Sequence, residues 1–76
     1  MIGGMASWCL HLAIKQRAAD VKKPAYKLTA EMGIGASTVE RMRNCRPIAQ
    51  TTALKIVTFL GTSMRAVVTK YHQEKQ

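Results

Sequence analysis

Along the chain, apolar residues recur at spacings of three and four, in short runs cut by proline and glycine. Leu10, Ile14, Ala18 and Val21 fall on one helical face, flanked by Leu12 and Ala13. Lys15, Arg17, Lys22 and Lys23 lie off that stripe or past its end. Ser7 suits an N-cap and Pro24 blocks continuation, so a first helix is predicted over 7–21. A second runs over 24–32, with proline in the first turn, Leu28 and Met32 inward, and Ala25 or Thr29 beside them. Gly33 ends it, supplying the left-handed residue a helix C-terminus favours. A third, over 36–44, turns Val39 and Met42 inward and Ala36, Ser37, Glu40, Arg41 and Asn44 outward. It is too short to hold without neighbours. A fourth begins at Thr51 or Thr52, carries Ala53, Ile56, Val57 and Leu60 on its inner face, and stops at Gly61. A fifth starts at the cap Ser63 and runs to 71, with Met64, Val67, Val68 and Tyr71 apolar. The predicted organisation is all-α: a flexible leader at 1–6 (with Met5 an alternative start), one domain at 7–71 and a polar tail at 72–76.

With 76 residues the chain holds one domain with a thin core, which a partner subunit would help stabilise. A hydrophobic fraction of 47% separates it from disordered tails. Twelve Lys and Arg against four Asp and Glu give +8, which points to a polyanionic partner, nucleic acid before membrane. The apolar run Trp8–Ile14 is too short to span a bilayer and is flanked wrongly for a signal peptide. Cys9 and Cys45 make no disulfide framework, and reduced thiols in the cytoplasm are expected. Together with His11 and His72 they match no zinc-ligand spacing, so neither metal nor cofactor is expected. With only Asp20, Glu31, Glu40 and Glu74 as acids and no phosphate-binding glycine loop, no catalytic constellation assembles, and the chain reads as a non-enzyme.

The informative stretch is 24–46. Gly33 allows two helices to meet steeply, Ile34 plugs the gap between them, and small Thr29 sits four residues earlier. Leu28, Met32, Ile34, Val39 and Met42 are expected to form one continuous apolar seam. From Leu28 to Val39 the chain reads Leu-Thr-Ala-Glu-Met-Gly-Ile-Gly-Ala-Ser-Thr-Val, followed by Met42, Arg46-Pro47, Thr52 to Val57 and Leu60-Gly61-Thr62-Ser63. In these residues it resembles the lambda-repressor-like (Cro/CI-type, XRE) helix-turn-helix transcriptional regulators, over about Leu10 to Val68. It departs from that family at Thr29, usually alanine, at Ala25, often a phosphate-touching glutamine, and at Thr62, usually a larger apolar residue.

The resemblance implies a five-helix DNA-binding domain whose third helix enters the major groove while the second crosses the backbone. Carried over residue by residue, the base-reading positions are Ala36, Ser37 and Arg41, with Thr38 and Glu40 beside them. The chemistry of those side chains suits base edges: Arg pairs bidentately with guanine, Glu accepts from cytosine, Ser bonds either edge and an Ala methyl packs on thymine. Phosphate contacts are expected from Lys27, Arg43, Arg46 and Thr51 or Thr52. A homodimer on a roughly palindromic double-stranded operator is implied, its interface at Val67, Val68 and Tyr71, residues that would equally close a monomer core. Such compact regulators typically repress phage, plasmid or toxin–antitoxin promoters. Competing readings are a protein-interaction module such as an antitoxin, a non-sequence-specific nucleic-acid binder, and a basic membrane-surface peptide. Residue by residue, Glu40 reads equally as a surface partner of Arg43, Tyr26 as a cover for the first helix, and Trp8 as core or interface.

Overall fold

Proline and glycine cut the chain where expected. The computed structural model describes residues 1–72 and is all-helical there: α1 (Gly4–Val21), α2 (Ala25–Met32), α3 (Ala36–Arg43), α4 (Gln50–Leu60) and α5 (Met64–Tyr71). From residue 73 onward the expected polar tail lies outside the described residues. Gly33 (φ 77°) and Gly61 (φ 71°) occupy the left-handed region and stop α2 and α4. In each case the next two amides turn back onto the helix: Gly33 N–H to Ala30 and Ile34 N–H to Thr29, Gly61 N–H to Thr58 and Thr62 N–H to Val57. Ser63 caps α5, its hydroxyl accepting from the Ala66 amide at 3.2 Å.

The long helix α1 is the central element, packed against each of the other four. Leu10, Ile14 and Ala18 are buried as their spacing predicts, joined by Cys9 and Ala13. The core continues through Leu28, Met32, Ile34, Met42, Ile48, Ala53, Ile56, Val57 and Leu60. Val21 is exposed, because α1 ends there and its stripe runs past the last neighbour. Arg17 reaches across to donate to the Leu60 carbonyl at 2.8 Å. It thereby places a cation on the C-terminal carbonyls of α4, the favourable end for positive charge.

Three expectations are corrected. First, the segment expected as a flexible leader is part of the fold. Helix α1 begins at Gly4, and Ile2 pairs with Ile48 in an isolated antiparallel bridge, its amide 3.0 Å from the Ile48 carbonyl. Gly4 makes this possible: a Cβ there would lie 2.0 Å from the Cys45 carbonyl oxygen, so only glycine seats the helix start on the α3–α4 loop. Second, Ser7 is not a cap. It sits inside α1, fully buried, with its hydroxyl unpaired, while Gly3 occupies the cap position without a side-chain bond. Third, Val67 and Tyr71, expected at a dimer interface, are 3% and 8% exposed and belong to the monomer core. Helix α5 lies against α1, and their stripe fills that contact, leaving only half-buried Val68 of the expected face near the surface.

Candidate nucleic-acid interface

Helices α2 and α3 are joined by three residues, Gly33 to Gly35. The turn is tight because Gly33 is left-handed and Ile34, its amide 2.9 Å from the Thr29 carbonyl, folds its side chain into the core. Thr29 is buried, and its hydroxyl is satisfied by the Tyr26 carbonyl at 3.0 Å. The structure adds a cation that the sequence reading did not single out: the Lys55 ammonium of α4 lies 3.9 Å from where a Gly33 side chain would start. That proximity is tertiary and has no local signal in the sequence.

On α3 the period of 3.6 residues separates two faces. Met42 is buried and Val39 half-buried, whereas Ala36, Ser37, Glu40 and Arg41 are exposed. Thr38, placed among the base-reading positions, is half-buried on the inward flank; it stands four residues before Met42 and shares its side of the helix. Glu40 is engaged on its own helix: one oxygen takes Arg43 and the other accepts from Asn44 at 3.2 Å. A cytosine amino group would have to displace one of these donors, so the surface-pair reading of Glu40 describes the free protein. Arg41 and Ser37 are exposed, and no side-chain bond of theirs is seen among the described residues.

Of the expected phosphate ligands, Lys27, Arg43, Arg46 and Thr51 are exposed and Thr52 is half-buried. Arg43 is tied to Glu40 in an exposed pair, which contributes little and yields readily to a competing anion. The N-termini of α2, α3 and α4, at Pro24, Gly35 and Ala49, carry no side-chain cap bond. Their first amides therefore have no side-chain acceptor, the condition in which a helix start receives an anion.

His11 of α1 packs against Trp8, the two rings tilted by 37° with centroids 5.3 Å apart. Burial pushes the His11 pKa below its ordinary value, and the charges of Lys15 and Arg43 push it the same way. Cys9 is buried and Cys45 half-buried, the latter in a left-handed conformation (φ 58°) beside Gly4. Among the described residues no group of three or more His, Cys, Asp or Glu is placed to hold a metal ion, and no helix is long and apolar enough to cross a membrane. Comparison with known proteins finds no matching family model, curated protein or solved structure.

Proposed function

We propose that this chain is a lambda-repressor-like helix-turn-helix protein that binds double-stranded DNA sequence-specifically through α3 and regulates transcription, most simply by occluding a promoter. The observation that carries the reading is the division of α3. Directly after a left-handed glycine turn, it buries Met42 and presents Ala36, Ser37 and Arg41 to solvent, on a chain of net charge +8. An exposed arginine without a side-chain partner is free to pair bidentately with guanine. Lys27, Arg46, Thr51 and the uncapped helix starts would hold phosphates and set register without reading sequence.

In this reading the protein is not an enzyme, needs no cofactor or metal, and works in the cytoplasm, where Cys9 and Cys45 stay reduced. It acts as a homodimer on a near-palindromic site with half-sites about one helical turn apart. Phage, plasmid and toxin–antitoxin promoters are the natural targets of so compact a regulator. With Val67 and Tyr71 inside the core, the proposed dimer face keeps Val68, and the apolar residues exposed on α4, Leu54 and Phe59, are candidates to extend it.

The test is a fluorescence-anisotropy titration of a selected duplex against a large excess of random DNA. Retention of the selected duplex supports the proposal. Complete displacement makes the protein a non-specific binder, and absence of any binding favours a protein-interaction role. Arg41→Ala should cost about 1–3 kcal/mol at the selected site and relax base preference there.

A further inference from the structure

The expected apolar seam forms: Leu28, Met32, Ile34 and Met42 join one core cluster and Val39 packs against it. A cavity of about 570 Å³ opens where the two helices meet α1, within the roughly 300–1,000 Å³ of pockets that hold small organic molecules. Its floor is core: Ile14, Ile34 and Met42, all buried. Val39, half-buried and packed against that core, lines the same space. Two of the three positions at which the chain departs from the family it resembles, Ala25 and Thr29, line the same cavity.

Its charged lining is of one sign. Lys15 from α1 and Arg43 from α3 are both exposed, and no Asp or Glu is among the lining residues. Arg43 is shared with Glu40, but in a solvent-exposed pair that a better-placed carboxylate can replace. The phenol of Tyr26 stands at the edge, largely exposed. An apolar chamber flanked by two cations suits a ligand with a hydrocarbon body and one carboxylate.

We propose that the cavity between α1, α2 and α3 binds a small amphipathic carboxylate, its hydrocarbon against Ile14, Ile34 and Met42 and its anionic head at Lys15 and Arg43. Binding of the carboxylate needs no duplex, although the cavity shares Ala36 and Arg43 with the face proposed for DNA. One consequence does rest on the DNA reading: Arg43 is also a candidate phosphate ligand, so the carboxylate and a duplex would compete for it.

The molecule carries its own reporter. Trp8, the single tryptophan, packs against His11, and His11 lines the cavity. The experiment titrates the protein without DNA, using octanoate, octanol and octylamine, by Trp8 fluorescence and calorimetry. Octanoate should bind saturably, octanol about tenfold more weakly and octylamine more weakly still, since a charge-assisted bond is lost and then a repulsion added. Decanoate should exceed octanoate by about fourfold for each added methylene. Lys15→Gln and Arg43→Gln, both at exposed positions, should each weaken octanoate several-fold and leave octanol unchanged. Three results would each overturn the proposal: no saturation by about 5 mM, a limit that already excludes weak specific binding; equal affinity for the three head groups; or octanoate binding indifferent to both substitutions. Competition with DNA is measured separately, so failure there alone would implicate the DNA reading and leave the cavity standing.

Discussion

Gly4→Ala separates two physical effects by sign. Helix propensity alone favours alanine over glycine by up to about 1 kcal/mol inside a helix, so a free helix start would gain stability. The structure demands the opposite. The added Cβ would lie 2.0 Å from the Cys45 carbonyl oxygen and 2.9 Å from its carbon. Carbon–oxygen contacts settle no closer than about 3.3 Å, so the first turn of α1 and the α3–α4 loop must part by about an ångström or more. Both obstacles are backbone, so no side-chain rotation relieves them. Parting the two segments breaks the Ile2–Ile48 bridge, a net hydrogen bond of about 0.5–1.5 kcal/mol. It also uncovers part of Ile48, now 2% exposed, at roughly 1 kcal/mol if a third to a half of a buried side chain is opened. After the propensity gain, the net loss is about 1–2 kcal/mol. For a domain of this size that lowers the melting temperature by roughly 5–15 °C. Gly3→Ser is the matched control: no atom lies within 4 Å of its Cβ, and the extended backbone at the cap welcomes serine. Thermal and urea unfolding followed by circular dichroism measures both. A Gly4→Ala protein as stable as the parent would refute the seating of α1 on the α3–α4 loop.

Three further outcomes follow from single observations. Ser7→Ala should stabilise by about 1–2 kcal/mol, because it removes a buried unpaired hydroxyl from a helix interior; a loss in urea unfolding would mean the hydroxyl has a partner. Lys22→Gly should stabilise by about 0.5–1 kcal/mol, since Lys22 ends α1 at φ 56°, a conformation that costs L-residues energy; equal or lower stability in the same assay contradicts this. His11 is held below its ordinary pKa by burial, then by Lys15 and Arg43, so the unfolded chain binds its proton more readily than the folded one. The stability due to neutral His11 is therefore complete above about pH 6.5 and is lost as pH falls from there toward the lower folded value. His11→Gln should flatten that slope in urea unfolding between pH 7.5 and 5.5, and an unchanged slope assigns it elsewhere.

Much of the fold was legible because its boundaries are chemical. Pro24, Gly33, Gly61 and Ser63 each act on the backbone next to them, and each marks a helix end in the structure. What stayed hidden was tertiary. Ser7 has the right chemistry for a cap, and nothing local reveals that Gly4 must clear the Cys45 carbonyl or that Ile2 reaches Ile48. Val67 and Tyr71 form an apolar stripe whichever surface covers them; only the packing of α5 on α1 decides for the core. The outward positions Ala36, Ser37, Glu40 and Arg41 followed from the helical period, since Val39 and Met42 fix the inward side. Thr38 did not, because on so short a helix it sits at the border between faces. The engagement of Glu40 by both Arg43 and Asn44 was legible only in part, as one spacing of three residues.

The central claim is that the exposed face of α3 reads bases. Its most direct test is selection of bound duplexes from a random pool, run in parallel for the parent protein and Arg41→Ala. The account predicts a near-symmetric consensus for the parent, and for the variant the same consensus with preference lost at the one base pair per half-site that Arg41 contacts. A pool that stays random for the parent, or a consensus identical in both proteins, would contradict it.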